Sequence, residues 1–167
     1  MVRIGLISDT HACIHPRVFN FLKDCDQIWH AGDLGNMETL ETLAQFKPTI
    51  AVYGNVDDYK TRRTLPEYRY FMCEDCKVMM THIGGYPGKY AKGISALIKE
   101  KRPDLFITGH SHILKVMYDA KNQLLYMNPG AAGQSGFHKN ITALRFEIDK
   151  KECKNLEVLD IERAKKI

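Results

Sequence analysis

The stretch Val2-Arg3-Ile4-Gly5-Leu6-Ile7-Ser8-Asp9-Thr10-His11 sets the pattern for the rest of the chain: a short apolar run that stops on an acid and an imidazole two residues apart. Such a run reads as a buried strand, and one ending on Asp-x-His carries its chemistry at its carboxyl end. The figure recurs four times, with apolar runs stopping at Gly32-Asp33, Gly54-Asn55, Thr81-His82 and Gly109-His110-Ser111-His112. In an open α/β sheet the carboxyl ends of the strands gather along one edge, so these five ends converge on one cleft. Each alone would be a capped loop, a satisfied core histidine or a turn. Together they form a site.

The five stops supply two Asp, one Asn and four His, oxygen and imidazole donors without a thiolate, which suits a hard or borderline divalent metal. Seven donors are too many for one tetrahedral ion, so two ions are implied. A two-metal site holds its ions about 3.5 to 4 Å apart, activates a water and clamps both oxygens of an in-line phosphoryl displacement. Phosphate-ester hydrolysis is therefore the expected reaction. Asp9 and His11, like His110 and His112, face the same way if the backbone stays extended. Gly32, Gly54 and Gly109 precede ligands, where the chain must turn sharply or approach an ion.

At 167 residues the chain reads as one domain spanning 1–167, with residues 160–167 as a frayed tail. Five cysteines, odd in number and not densely spaced, exclude a secreted disulfide framework and point to a reducing cytoplasm. No apolar run is long enough to span a bilayer. A formal charge of +4 with 26% charged residues is only mildly basic, and nucleic acid is disfavoured as a partner. Lys60-Thr61-Arg62-Arg63, the one compact basic run, reads as a solvated loop.

Along the chain, strand Val2–Ile7, helix Pro16–Lys23, strand Gln27–His30, a helix capped by Asn36 and running to Phe46, and strand Thr49–Tyr53 make a βαβαβ unit with parallel strands. A loop covers 54–66. Residues 68–72 and 77–80 form a hairpin turning at Cys73-Glu74-Asp75-Cys76. The stripe Tyr90, Ile94, Leu97 and Ile98 predicts a helix over 88–101, ended by Pro103. Leu105–Ile107 is another buried strand, and residues 113–118, 124–127, 141–148 and 156–161 are mostly antiparallel ones.

The order Asp-x-His, Gly-Asp, Gly-Asn-x-Asp, Thr-His, Gly-His-x-His, Asn-Pro-Gly resembles the calcineurin-like metallophosphoesterases over nearly the whole chain, and most closely their small single-domain phosphodiesterases of the YfcE type. The resemblance implies an α/β fold, specifically an α/β/β/α sandwich of two packed sheets. It implies that Asp9, His11, Asp33 and His112 hold one metal and that Asp33, Asn55, His82 and His110 hold the other. Asp33 then bridges the ions, Asn55 also reaches the substrate phosphate, and a hydroxide between the metals is the nucleophile. Manganese is the family's habitual ion, while the donors suit Fe, Ni, Co and Zn nearly alike. Small relatives self-associate, which implies a homodimer or higher homo-oligomer.

Larger members of the superfamily place a proton-donating His after Gly-Asn, where this chain has Val56, which has no proton to give. His138, in the glycine-rich loop 133–139, is the candidate substitute; its plainer reading is an exposed loop residue. His30 is a core histidine or an orienter of a ligand. Cys73 and Cys76 do not make a zinc site, since no second cysteine pair exists. The function expected is a metal-dependent phosphoesterase acting on a small phosphodiester. The alternative is a protein-binding scaffold like the retromer subunit of this fold, with a vestigial or structural metal site.

Overall fold

A computed structural model describes residues 1–164; the last three residues of the expected frayed tail, 165–167, lie outside the described residues. Sixteen elements run in the order β1 (Val2–Ile7), α1 (Pro16–Leu22), β2 (Gln27–His30), α2 (Met37–Phe46), β3 (Thr49–Ala51), α3 (Tyr59–Thr64), β4 (Tyr68–Cys73), β5 (Cys76–Thr81), β6 (Gly85–Tyr86), β7 (Lys89–Tyr90), α4 (Ile94–Lys101), β8 (Leu105–Ile107), β9 (Leu114–Asp119), β10 (Leu124–Pro129), β11 (Asn140–Asp149) and β12 (Glu152–Glu162). They build two five-stranded sheets, ordered β12-β11-β1-β2-β3 and β4-β5-β8-β10-β9. β1, β2 and β3 are mutually parallel, and so are β5, β8 and β10.

Period-two alternation decides which side chains meet between the sheets. Ile4 and Leu6 of β1, Trp29 of β2, Val78 and Met80 of β5, Leu105 and Ile107 of β8, and Leu144 and Phe146 of β11 are buried in one central cluster. The intervening residues face outward, where Ile7 and Ile28 pack against Val18 and Leu22 of α1 and Leu43 of α2. On the far side Met79 and Phe106 meet Ile94 and Ile98 of α4. The result is the α/β/β/α sandwich that the resemblance implies.

Several boundaries differ from the expectation. The loop 54–66 contains α3, because Asp58 caps it by accepting from the Thr61 N–H at 2.8 Å. The helix expected over 88–101 begins only at Ile94. Gly88 and Gly93 have φ of 89° and 85°, left-handed values that a right-handed helix cannot hold, and Tyr90 instead closes the short β6–β7 hairpin. β12 remains paired to Glu162, so the tail does not fray from residue 160. Asn36 caps α2 as expected, its side chain accepting from Thr39 N at 2.9 Å. Cys73 and Cys76 pair across the turn of the β4–β5 hairpin. Among the described residues no helix is long and apolar enough to cross a membrane.

His30 proves to be a satisfied core histidine. Its Nδ1 accepts from the Gly32 N–H at 3.1 Å and its Nε2 lies 2.9 Å from the Thr10 hydroxyl, so it ties together the loops leaving β1 and β2. Burial holds its pKa down at about 3. Below pH 6.5 the unfolded chain takes up this proton while the folded chain does not, so stability falls as pH drops, by up to about 1.4 kcal/mol per pH unit. Urea titrations of His30→Gln should show the acid slope between about pH 6 and 4 reduced by one proton relative to wild type; an unchanged slope would contradict a neutral His30. In the central core, Trp29 packs edge-on against Phe71 and Phe146 at centroid distances of 5.0 and 6.0 Å. Trp29→Ala should cost about 3 to 5 kcal/mol in the same titration, and a loss under about 1 kcal/mol would show that the sheets do not pack through it.

Candidate metal centre

The carboxyl ends of β1, β2, β3, β5 and β8 do converge on one side of the sandwich. Asp9, His11 and His112 form one group whose donor atoms all lie within 4.8 Å of one another, and Asp33, His82 and His110 form a second. The groups abut, since Asp9 Oδ1 is 3.8 Å from His82 Nε2 as well as 3.1 Å from His112 Nε2. His11, Asp33, Asn55, His110 and His112 line one cleft of about 620 Å³, walled by Val56, Ile113 and Phe137.

The backbone reaches this arrangement by a route the sequence does not show. Asp9, His11, Asp33, His110 and His112 have φ of 54°, 45°, 56°, 70° and 59°, all left-handed, where the sequence reading expects extended chain for the two Asp-x-His and His-x-His pairs. Asp and His tolerate this region better than most residues, but each such conformation has to be held in place by its surroundings. Bonds between loops hold it: Asp9 N–H to Gly32 O, His11 N–H to Asp33 O and Ala12 N–H to Leu34 O, at 3.0, 3.1 and 2.7 Å. Gly54 serves close approach, because a Cβ there would collide with the Asp33 carboxylate.

Several of the candidate donors are fixed from behind. Asp9 Oδ2 accepts from the Ser8 hydroxyl at 2.6 Å and the His110 N–H at 3.1 Å, leaving Oδ1 facing the imidazoles. Asp33 Oδ1 accepts from the Val56 N–H at 2.9 Å, while Oδ2 sits 3.1 Å from His82 Nε2. His82 Nδ1 donates to the Ala31 carbonyl at 2.7 Å. A carbonyl only accepts, so the ring, when neutral, presents an Nε2 lone pair to the cleft. Asn128 Nδ2 donates to Gly109 O at 2.9 Å and to Ser111 Oγ at 3.1 Å, bracing the Gly-His-Ser-His turn.

Two residues escaped the sequence reading. Asp57 is buried and accepts from Gly35 N–H at 2.9 Å and Gly54 N–H at 2.8 Å, which locks the loop carrying Asn55 against the loop carrying Asp33. Its place in Gly-Asn-x-Asp is the signal that could have revealed it. Arg62, from the run read as a solvated loop, donates to the backbone carbonyls of Asn55 and Asp57. His138 is not an exposed loop residue either. It is buried, with Nε2 2.7 Å from Gly133 O and Nδ1 3.1 Å from His112 Nδ1. Both nitrogens are therefore engaged by protein partners, while the ring itself lines the cleft.

The electrostatics suit cations. Burial pulls both carboxyls upward, but positive charge and proton donation from the neighbouring rings, foremost His112 for Asp9 and His82 for Asp33, outweigh it and hold both pKa values below the ordinary range, the same compensation that a cation would supply. Burial alone would lower His82, yet Asp33 and Asp9 more than compensate and raise it. Burial keeps His138 below its ordinary value and so neutral at pH 7. Among the described residues, Asp9 Oδ1 and His82 Nε2 are buried without a hydrogen-bond partner. An orphaned carboxylate oxygen and an orphaned imidazole nitrogen aimed at each other's neighbours are what divalent cations would satisfy, so the donors present fit such ions.

Comparison with known proteins agrees with this chemistry. Residues 2–151 match the calcineurin-like phosphoesterase superfamily domain. A probable metallophosphoesterase of Methanothermobacter thermautotrophicus is 33% identical over 135 residues, covering 77% of this chain and 76% of that protein. Among solved structures, an archaeal phosphodiesterase superposes with a TM-score of 0.74 at 22% identity, covering 94% of this chain and 99% of the other. Vps29 from Entamoeba histolytica superposes with a TM-score of 0.74 at 19% identity, covering 96% and 99%. With its strand-end donors gathered in one cleft and nearly its whole length matched, this chain belongs to the calcineurin-like phosphoesterase superfamily.

Proposed function

We propose that the protein is a phosphodiesterase whose centre holds two divalent cations, one on Asp9, His11, Asp33 and His112 and the other on Asp33, Asn55, His82 and His110. The observation that carries this reading is the abutment of two donor groups, with Asp33 and Asn55 lining the same cleft as His11, His110 and His112. Such ions would supply Lewis acidity to the phosphoryl oxygens and lower the pKa of the attacking water. Manganese is the ion we expect by family resemblance, and Fe, Ni, Co or Zn suit the same donors. A small phosphate ester is the substrate, and the products are a monoester and an alcohol.

The protein's own groups position that substrate. Asn55, with its backbone carbonyl tied to Arg62, offers a neutral amide donor to a phosphate oxygen. Among the described residues, those lining the cleft include no Lys or Arg. A monoester dianion would find no ammonium or guanidinium there, whereas a diester monoanion needs less compensation and brings a second ester group to cover the apolar walls. Those walls, Val56, Ile113 and Phe137, are 61%, 63% and 103% exposed, large apolar surfaces gathered around one opening. Since Val56 has no proton to give and the His138 nitrogens contact Gly133 and His112, turnover should favour esters whose leaving group needs no proton.

The same apolar rim, and the likeness to Vps29, support a second reading: a scaffold for a partner protein with a structural metal site. Hydrolysis of bis-p-nitrophenyl phosphate with added Mn²⁺ separates the two. We expect metal-dependent turnover, about 100-fold or more lower in Asp33→Ala, and slower hydrolysis of p-nitrophenyl phosphate. Turnover that ignores metal, unchanged in Asp33→Ala, would leave the scaffold standing. Phe137→Ser should raise KM for the aromatic diester about tenfold with kcat nearly constant, and an unaltered KM would remove the apolar wall from substrate binding.

A further inference from the structure

His138 lies outside both donor groups, yet its ring meets that of His112 nearly edge-on, with centroids 5.0 Å apart and the two Nδ1 atoms at 3.1 Å. Its Nε2 is 2.7 Å from the Gly133 carbonyl. These two contacts fix the protons on both rings. The carbonyl only accepts, so His138 carries its hydrogen on Nε2; a neutral ring protonated there has a lone pair on Nδ1. The contact between the rings then requires His112 to donate from Nδ1, which in the neutral ring leaves a lone pair on His112 Nε2. That atom is 3.1 Å from Asp9 Oδ1 and 3.4 Å from His11 Nε2. An unprotonated nitrogen facing a carboxylate oxygen gains nothing from it unless a cation lies between them.

We propose that His138 is a positioning residue for the metal centre, fixing the tautomer and ring orientation of His112 so that Nε2 is presented as a donor beside Asp9 and His11. The inference rests on the two-cation reading above. It gives the two halves of the site the same device by different means. His82 is set directly by a backbone carbonyl, that of Ala31, and His112 is set by a relay through His138 to the carbonyl of Gly133. The relay has a rigid base, because Gly133 N–H donates to Asp9 O at 3.2 Å, and Arg163 Nη1 donates to Gly136 O at 2.8 Å within the same loop.

Calorimetric titration of metal-free protein with Mn²⁺ tests this. Wild type should bind two ions, and His112→Ala should lose one. His138→Leu, which fills the ring's volume without a nitrogen, should weaken that same site about 10- to 100-fold and leave the other within about threefold. His138→Asn keeps an acceptor near the Nδ1 position and should recover most of the loss. If folded His138→Leu binds both ions as wild type does while His112→Ala loses one, the positioning role is overturned and the metal reading survives. If His112→Ala also binds two ions normally, the metal reading fails and the inference falls with it. Should His138→Leu not fold, long-range proton–nitrogen NMR correlations on metal-free wild type at alkaline pH decide: neutral His112 protonated on Nδ1 is expected, and protonation on Nε2 overturns the proposal.

Discussion

The site depends on a carboxylate that water does not reach. Asp9 is fully buried at the end of β1, and while one oxygen is satisfied by Ser8 and the His110 N–H, the other faces only imidazoles. Burying a charge is costly unless opposite charge stands close by. Histidines 11, 82 and 112 stand within 3.8 Å of that oxygen and can supply the charge in two ways, by holding protons or by holding metal ions. The rings favour the second. His82 and His112 each commit Nδ1 to a partner on the far side, so in the neutral rings the nitrogen turned toward Asp9 carries a lone pair, as a metal donor requires.

Holding so many donors in one place strains the chain, and the sandwich absorbs that strain. Five candidate metal donors lie in left-handed backbone, a cost of about 1 to 3 kcal/mol each that the surroundings must offset. Each lies two to five residues beyond the end of a strand whose side chains are locked between two sheets, and the loops after β1 and β2 are laced together by backbone bonds. Asp57, His30 and Asn128 tie the remaining loops to one another. The core thus works as an anchor at one end of each ligand loop, while side-chain and backbone bonds between loops fix the other.

Much of this was legible in the sequence because the chemistry sits one or two residues beyond an apolar run. The strand fixes where Asp9, Asp33, Asn55, His82 and His110 begin, and local patterning is enough to see the strand. What escaped depends on partners remote in sequence. The turn at Asp9–His11 is set by residues 32 to 34, so its left-handed backbone could not be read from Ser8-Asp9-Thr10-His11 alone. His138 looked like an exposed loop residue because its partners, Gly133 and His112, meet it only after β10 and β9 have paired. Helix α3 hid inside a stretch rich in loop residues, its cap at Asp58 overlooked. Tyr90 matched a helical stripe by chance, since its contact with the α4 cluster comes through a hairpin.

In the function proposed above, two cations share Asp33. That sharing is tested most directly by anomalous diffraction from a crystal of the protein grown with manganese. The account predicts two anomalous peaks about 3.5 to 4 Å apart in the cleft, with the Asp33 carboxylate between them. A single peak, or peaks bound away from Asp33, would contradict it.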